Sequence, residues 1–193
     1  VTADHTIEVV FNRPPVAVDD QYTAFEDNPL TVSAVSGLLA NDSDPDGDAL
    51  TAATVTLPTN GTLALQPDGS FVYTPNPGYN GMDSFTYQAS DGELVSAPAT
   101  VTITVKPVND PPVAANLSLT TVVDMPVSAT LPGADPDGDA LVYHIVSEPS
   151  LGVLSDFDPG TGAFTYVPNP FVTGVDTFTF AVSDGEFTSA SAT

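Results

Sequence analysis

The chain has 193 residues, with 25 Asp and Glu against 2 Lys and Arg, and a formal net charge of -23 at pH 7. This charge excludes binding to nucleic acids and to anionic membrane surfaces, because both need a basic face and the chain offers only Arg13 and Lys106. Hydrophobic residues make up 41% of the chain, enough for a packed core. Cys is absent, which excludes disulfides and thiol chemistry, and no apolar run is long enough for membrane insertion.

The sequence contains an internal repeat. The seven residues Asp-Pro-Asp-Gly-Asp-Ala-Leu at 44–50 recur letter for letter at 135–141. The Ser-Asp-Gly-Glu segment at 90–93 recurs in the same order at 183–186. Self-similarity of this kind is typical of tandem domains built from one structural unit.

The repeat predicts two homologous domains, residues 12–108 and 109–193. Residues 6–11 before the first domain resemble residues 102–105 before the second, so we interpret residues 1–11 as a strand like the last one of a preceding repeat. Thr193 falls where Thr100 falls in the first domain, so the second domain lacks the counterpart of the final strand. A sandwich without that strand exposes an open edge and a slot in its core.

Both domains are predicted to be all-β. Apolar residues alternate with Thr along residues 100–105 and 176–182, which is the period of a half-buried strand, and 19 Pro leave no long helical window. Short strands with frequent turn residues favour Greek-key β-sandwiches. The predicted core residues are Leu63, Leu65, Phe71, Tyr73, Phe85, Tyr87, Leu154, Phe164, Tyr166, Phe178 and Phe180.

The duplicated Asp-Pro-Asp-Gly-Asp segment is the strongest chemical signal. Three carboxylates at alternating positions, with a Gly that permits a tight turn, are hard oxygen ligands of the kind that suits calcium. An EF-hand is excluded, because its loop needs Gly sixth and Glu twelfth, whereas Gly47 is fourth and Val55 and Val146 are twelfth. The alternative is a solvated acidic turn without an ion.

Several segments together carry a family resemblance. These are the residues at 85–92, 99–105 and 108–112, together with Phe-Glu-Asp-Asn-Pro at 25–29 and the acidic loop. In this combination the chain resembles the bacterial cadherin-like and immunoglobulin-like tandem repeats of large surface and secreted proteins. Such modules occur in adhesins, in biofilm proteins and as spacers in polysaccharide-degrading enzymes, so the resemblance is specific for the type of repeat and weak for function.

The resemblance implies calcium at the junction between the two domains, held by the linker, the acidic loop and the Ser-Asp-Gly turn, so that a Pro-stiffened linker becomes part of a rod. The implied junction ligands are Asn109, Asp110, Asp135, Asp137, Asp139, Asp184 and, from the first domain, Glu26. The implied upstream ligands are Asn12, Asp44, Asp46, Asp48 and Asp91.

Two departures from the family pattern favour the junction over the upstream cluster. Arg13 stands where the second linker has Asp110, which places a cation in the upstream site, and we interpret Asp124 as taking the place of Glu26. Asp91 and Asp184 have an alternative role as ordinary β-turn residues.

These observations leave three hypotheses for function. The first is a non-enzymatic, calcium-stiffened spacer or adhesive stalk of an extracellular prokaryotic protein, whose partners are neighbouring repeats and cell-surface or polysaccharide ligands. The second is a filament, in which residues 1–11 of one subunit complete the open second domain of an identical subunit, head to tail. The third is a carbohydrate-binding module, with Tyr79 as its exposed aromatic. Catalysis is not expected, because no nucleophile, phosphate-loop or zinc-protease motif occurs.

Overall fold

The computed structural model describes residues 11–193. The chain divides into two compact units, Val1–Val108 and Asn109–Thr193. Within the described residues the regular elements are strands and two short 3-10 helices, Ala34–Ser36 and Leu38–Ala40, so the all-β prediction is confirmed. No helix in this part of the chain has the length and apolar character needed to cross a membrane. The strand predicted for residues 1–11 lies almost entirely outside the described residues.

Unit 1 is a sandwich of two sheets. Its strands are β1 (Asp20–Phe25), β2 (Leu30–Val32), β3 (Thr51–Thr56), β4 (Gly61–Leu65), β5 (Phe71–Pro75), β6 (Gly81–Ser90) and β7 (Ala99–Lys106). One sheet has the order β1-β7-β6-β3 and the other the order β2-β5-β4. The pattern of alternating apolar residues in the sequence is therefore the pattern of side chains that point between the two sheets.

Strand β7 lies at the centre of the larger sheet of unit 1. It runs parallel to β1 and antiparallel to β6. Its side chains Val101, Ile103 and Val105 are 0 to 2% exposed. Burial of one Val or Ile side chain contributes about 1.5–3 kcal/mol, so β7 is one of the main stabilising strands of the unit.

Unit 2 repeats most of this sandwich. Its strands are β8 (Val113–Ala114), β9 (Val127–Thr130), β10 (Gly133–Ala134), β11 (Val142–Ser147), β12 (Gly152–Ser155), β13 (Ala163–Pro168) and β14 (Thr179–Ser183). They form the pairs β10-β8 and β11-β14 and the three-stranded sheet β12-β13-β9. Segments 117–122 and 174–178, the counterparts of β1 and of the first half of β6, form no strand.

The predicted core residues lie between the sheets of both units. Phe71, Tyr73, Phe85, Tyr87, Phe164 and Phe180 are buried, and Leu63, Leu65, Leu154, Tyr166 and Phe178 are half-buried against them. One equivalent pair differs in burial: Phe85 is 1% exposed beneath β7, whereas no strand of residues 11–193 covers Phe178, which is half-buried.

Candidate metal-binding loops

The acidic loop of unit 1 is folded around the side chain of Asp44. Its Oδ1 atom accepts the backbone N–H of Asp46 at 2.8 Å and that of Asp48 at 3.2 Å. Gly47 has φ 82°, in the left-handed region, and its N–H donates to the carbonyl of Asp44 at 3.2 Å. A residue with a Cβ is strained at such a φ, which is the reason for Gly at this position.

The acidic loop of unit 2 has the same geometry. Asp135 Oδ1 accepts the backbone N–H of Asp137 at 2.9 Å and of Asp139 at 3.2 Å, and Gly138 also has φ 82°. These bonds span only two to four residues, so identical loop sequences give identical turns. The sequence repeat is therefore a repeat of local structure.

In both loops the other carboxylate oxygen of the first Asp, the one that holds the turn, has no partner. Asp44 Oδ2 and Asp135 Oδ2 are buried atoms with no hydrogen bond among the described residues. Leaving a buried acceptor unsatisfied costs about 1–3 kcal/mol, and more for a charged one. The two orphaned oxygens occupy equivalent positions, and a cation is the partner that a carboxylate oxygen most favours. The donor set therefore fits a hard divalent ion.

The linker before unit 2 is tied to its loop and its Ser-Asp-Gly turn. The Asn109 side chain donates to Asp184 Oδ2 at 3.0 Å, and the Asp110 backbone N–H donates to Asp137 Oδ2 at 2.7 Å. Asp184 Oδ1 accepts the N–H groups of Glu186 and Phe187 at 2.7 and 2.6 Å. Asp184 is thus both a turn residue, as the alternative role predicted, and a contact of the linker. Partial burial raises its pKa, but the two N–H groups and Asn109 outweigh this and leave the pKa lowered.

In the upstream cluster of unit 1, the linker makes the same contacts with the acidic loop and the Ser-Asp-Gly turn as in unit 2, but its side chain at position 13 is Arg instead of Asp. Asn12 donates to Asp91 Oδ2 at 3.0 Å, and the Arg13 backbone N–H donates to Asp46 Oδ2 at 2.7 Å. The Arg13 guanidinium also binds Asp46 Oδ1 at 2.8 Å, so the predicted cation does stand in this site. The hydrogen bonds from Arg13 lower the pKa of Asp46, and those from Leu94 and Glu93 lower the pKa of Asp91.

Glu26 lies at the end of unit 1. It is 2% exposed, and its carboxylate accepts the N–H of Val108 at 2.7 Å and the side-chain amide of Asn80 at 3.1 Å. Its own N–H donates to the Lys106 carbonyl at 2.9 Å. Glu26 therefore fixes the end of β7 and the first residues after it.

The assignment of Asp124 as the counterpart of Glu26 was wrong. Asp124 has φ 64° and its Oδ1 accepts the N–H of Phe171 at 2.9 Å, whereas Asp27 has φ 57° and accepts the N–H of Gly78 at 3.0 Å. Asp124 is thus the counterpart of Asp27, and Val123 stands where unit 1 has Glu26. Asp27 and Asp124 thus share a structural role, a left-handed turn that the Asp side chain closes, and neither takes the role of Glu26.

Within each unit, the predicted ligands other than Glu26 lie in or beside the acidic loop without converging on one point. Among residues 11–193, no three His, Asp or Glu side chains are placed to hold a metal ion. The backbone N–H groups of Asp48 and Asp139 shape the loops, and both residues are exposed. The loops are therefore preorganised in the main chain, and their carboxylates would have to turn to surround an ion.

One pair of equivalent carboxylates, Asp83 buried in unit 1 and Asp176 half-buried in unit 2, was missed in the sequence. Asp83 accepts hydrogen bonds from the N–H groups of Thr59 and Asn60 and from the Tyr73 hydroxyl, at 2.8 to 3.1 Å. Asp176 occupies the equivalent position and accepts from Tyr166 at 2.9 Å. The signal was present as Gly-x-Asp-x-Phe, which occurs at 81–85 and again at 174–178. These two Asp residues join a loop to a strand in each unit.

A third group of carboxylates is specific to unit 1. The Tyr87 hydroxyl lies 3.0 Å from the carboxylate oxygens of Asp42, and Asp20 Oδ2 beside it is buried without a partner. Burial, with the nearby charge of Asp42, raises the pKa of Asp20 to about 6. Unit 2 has Leu117 and Phe180 at the positions of Asp20 and Tyr87, so it has no equivalent group.

Tyr79, on which the carbohydrate hypothesis depended, is half-buried. It packs against the core of unit 1, and its hydroxyl donates to the Met82 carbonyl at 2.6 Å. This placement gives it a role in closing the loop before β6. Sugar binding stays a hypothesis that no contact among the described residues favours.

Family models match almost the whole chain. The model of a bacterial cadherin-like domain matches residues 12–107, and the model of a bacterial Ig domain matches residues 109–193. Each match covers one repeat of the sequence and one of the two β-sandwich units.

A curated relative and several solved structures are similar to the chain. The chain is 31% identical to Integrin beta-like protein E of Dictyostelium discoideum over 79% of this chain, and it spans 9% of that relative. Human CDH23 EC21-23 has a TM-score of 0.59 at 14% identity, over 93% of this chain and 69% of that one. A protocadherin gammaB7 EC3-6 structure has 0.56 at 15%, over 93% and 51%. At these identities the structures show a shared fold alone.

Proposed function

Because the chain belongs to the bacterial cadherin-like and Ig-like tandem repeats, we propose that it is a non-enzymatic structural module whose linker is stiffened by calcium. Domains of these families are typically structural or adhesive rather than catalytic. The chain spans 9% to 10% of the curated relatives it matches, so it serves as one segment of a longer spacer or adhesive stalk. Its partners are neighbouring repeats and, through the longer protein, cell-surface or polysaccharide ligands.

The orphaned oxygens of Asp44 and Asp135 are the observation that carries the calcium proposal. In both loops Oδ1 of this Asp accepts the hydrogen bonds that hold the turn, and Oδ2 is buried without a partner. A buried carboxylate oxygen without a partner, at the same position in both units, is what a binding site has when its ligand is not bound. When bound, calcium supplies the positive charge that a loop with three carboxylates in five residues lacks.

In unit 2 the residues that would hold the ion are Asp135, Asp137 and Asp184, with Asn109 and Asp110 from the linker. Asn109 and Asp110 already bond to Asp184 and Asp137. An ion bound by these carboxylates would fasten the linker to the domain that follows it, and its removal would leave like charges to repel each other. The linker would then gain freedom of movement.

The charge of the chain supports an extracellular setting for the module. A net charge of -23 on 193 residues repels itself, and salt or divalent cations outside the cell screen that repulsion. Calcium concentrations outside cells also suit modules that bind it weakly, in the range of roughly 10⁻⁴–10⁻³ M. We therefore place the protein at the cell surface or in the secreted fraction.

Calcium titration by calorimetry, combined with small-angle scattering, tests the proposal. The wild-type chain should bind calcium, and its scattering curve should change between calcium and chelator as the linker stiffens. Asp135→Asn should remove binding at unit 2, because it replaces the charged oxygen that lacks a partner. Glu148→Gln removes one exposed charge from the same unit outside the loop and should bind like wild type.

Three results would overturn separate parts of the proposal. If calorimetry and scattering both showed no response to calcium, the proposal that the chain binds calcium would be wrong. Binding by Asp135→Asn as tight as by wild type would move the ion away from the loop. Unchanged scattering with calcium bound would remove the mechanical role and leave the ion as a local stabiliser.

A further inference from the structure

Two Asn residues of unit 1 are each followed by Gly. They are Asn60, just before β4, and Asn80, just before β6, and the sequence has no other Asn-Gly pair. In this dipeptide the main-chain nitrogen of the Gly can attack the side-chain carbonyl carbon of the Asn, because Gly has no Cβ to obstruct the approach. Whether the attack occurs in a folded protein depends on how freely the main chain around the Asn can move.

The main chain around Asn60 is held on both sides. Its N–H donates to Asp83 Oδ2 at 3.0 Å, and its carbonyl accepts the N–H of Asn76 at 2.8 Å. Gly61 is packed against the ring of Tyr73, since a Cβ built on it would lie 2.6 Å from a ring carbon. Asn60 therefore cannot rotate toward the Gly61 nitrogen unless these contacts open first.

Asn80 lies in an exposed loop with far less restraint. Asn80 and Gly81 are both exposed, and among residues 11–193 the N–H and carbonyl of Asn80 form no turn or loop hydrogen bond. A Cβ built on Gly81 would have only the Tyr79 side chain nearby, at 3.2 Å. The contact that Asn80 does make is through its side chain, whose Nδ2 donates to Glu26 Oε2 at 3.1 Å. The two Asn-Gly pairs thus have the same letters and very different local restraint.

We propose that Asn80 is a modification site, at which the side-chain amide is converted to a carboxylate without an enzyme. The Gly81 nitrogen bonds to Cγ of Asn80, and the Cγ–Nδ2 bond breaks. The proton lost by the Gly81 nitrogen leaves with the side-chain nitrogen as ammonia. Water then opens the resulting five-membered succinimide ring at either carbonyl, which gives Asp or isoaspartate. The reaction consumes one water, releases one ammonia and needs no oxidant or reductant.

The product places a second carboxylate beside Glu26. Glu26 is 2% exposed, and its carboxylate accepts the Val108 N–H at 2.7 Å as well as the Asn80 amide. Conversion of Asn80 removes one of these donors and adds a negative charge where like charges repel. Either the new carboxylate turns out to water and leaves Glu26 Oε2 buried without a partner, or Glu26 itself moves. Both outcomes weaken the hold of Glu26 on Val108, the last residue of unit 1.

Unit 2 lacks both members of this pair. The shared Gly-x-Asp-x-Phe motif aligns Asn80 with Thr173, and Val123 stands where unit 1 has Glu26. The amide and the buried carboxylate therefore occur together in one unit and are both replaced in the other. The modification is thus specific to the end of unit 1. It goes beyond the structural role proposed above and does not depend on calcium.

Peptide mapping by mass spectrometry tests the reaction, after incubation of the chain in mildly alkaline buffer with chelator. Asn80 should convert to a mixture of Asp and isoaspartate. Asn60 should convert at least about tenfold more slowly, because its main-chain hydrogen bonds must open first. In urea the two should react at similar rates, since both precede Gly, so the unfolded chain is the matched control. Asn80→Gln should react far more slowly, because its longer side chain would have to close a six-membered ring.

The variant Asn80→Asp tests the consequence, because it encodes one of the two products. Exchange of the Val108 amide proton, measured by NMR in chelator, should be about tenfold faster than in wild type, which corresponds to the loss of one hydrogen bond to a charged group. Asn76→Asp is the matched control. It adds the same charge to an exposed residue of the same loop, and exchange at Val108 should stay as in wild type.

Two results would overturn the proposal. If Asn80 of the folded chain reacts as slowly as Asn60, the loop does not permit the attack. If Asn80→Asp leaves exchange at Val108 equal to that of wild type, the new carboxylate does not disturb Glu26. Both measurements are made without calcium, so a failure of the calcium proposal would change neither outcome.

Discussion

The guanidinium of Arg13 lies 2.8 Å from Oδ1 of Asp46, while the backbone N–H of Arg13 binds the other oxygen of the same carboxylate at 2.7 Å. In unit 2 the backbone N–H of Asp110 makes the second of these bonds, to Asp137, also at 2.7 Å. The two linkers therefore hold their acidic loops in the same way with the main chain. They differ in the charge of one side chain, which is positive in the first linker and negative in the second.

Replacing Arg13 by Asp should turn the loop of unit 1 into a better calcium site. The change frees the Asp46 carboxylate and adds an oxygen ligand, so we expect calcium affinity at this loop to rise by about tenfold or more. Calorimetry in an Asp135→Asn/Asp137→Asn background, which weakens the other loop, would isolate the effect. Arg13→Ala should give a smaller rise, because it frees Asp46 without supplying a ligand. Equal affinity in all three chains would show that Asp46 does not bind the ion.

Replacing Asp83 by Asn should destabilise unit 1. The carboxylate is 4% exposed and accepts hydrogen bonds from Thr59, Asn60 and Tyr73, and an Asn amide would set an N–H group against donors. The loss should be about 2–3 kcal/mol in the free energy of unfolding, measured by denaturant titration. Asp68→Asn, at an exposed turn, should cost less than 1 kcal/mol by comparison. A loss as small as that of Asp68→Asn would contradict the role assigned to Asp83.

The contribution of Asp83 to the free energy of unfolding should depend on pH. Burial raises the pKa of Asp83, but the hydrogen bonds from Tyr73, Ser84, Thr59 and Asn60 outweigh it and leave the pKa below its ordinary value. The unfolded chain therefore takes up this proton first as the pH falls. The stabilisation by Asp83 is complete above the ordinary pKa of an Asp, about 4, and is lost as the pH falls below it through the lowered pKa of the folded state. The difference in stability between wild type and Asp83→Asn should accordingly shrink as the pH falls below about 4.

The contribution of Asp20 to the stability of unit 1 should change with pH in the opposite direction. Its pKa is raised to about 6, mainly by burial and also by the charge of Asp42, so the folded state binds this proton more tightly than the unfolded state. Its contribution therefore improves as the pH falls from 7 through 6. Asp20→Asn should be more stable than wild type at pH 7, and this advantage should shrink at pH 5 in denaturant titrations. Glu148→Gln controls for net charge and should show neither effect; an advantage for Asp20→Asn that does not change with pH would contradict the raised pKa.

Short-range features of the chain could be predicted from sequence, because their contacts are local. The turns around Asp44 and Asp135 depend on bonds over two to four residues, so identical letters ensured identical loops. The period-two pattern likewise predicted which aromatic residues face the core.

Long-range features were missed or misread for a physical reason. Asp83 meets Asn60 from 23 residues away, and the repeated Gly-x-Asp-x-Phe marks the position of the Asp without identifying so distant a partner. The pairing of Asp124 with Glu26 was wrong because it compared charge and not backbone conformation. The shared spacing of Asp27 to Pro29 and of Asp124 to Pro126 was the better signal, since in both units the Asp two residues before Pro has a positive φ and closes a turn.

Phe171 carries a strain that its counterpart in unit 1 avoids. It has φ 62° and is 87% exposed, and its N–H donates to Asp124 at 2.9 Å. Gly78 occupies the equivalent position with φ 64° and donates to Asp27 at 3.0 Å. The turn therefore demands the left-handed region in both units. A bulky residue adopts this region at a cost of order 1–3 kcal/mol, whereas Gly adopts it freely.

Replacing Phe171 by Gly should therefore stabilise unit 2. The relief of strain is partly offset by the greater freedom of Gly in the unfolded chain, so we expect a net gain of about 1 kcal/mol in the free energy of unfolding. Because the side chain is exposed, no core contact is lost with it. Gly78→Ala is the reverse experiment in unit 1, where it should cost about 1 kcal/mol. Comparing hydrogen exchange of β12 and β13 with that of β4 and β5 would assign each change in stability to its unit. A Phe171→Gly chain less stable than wild type would show that the exposed ring makes a contact that stabilises the unit by more than the strain costs.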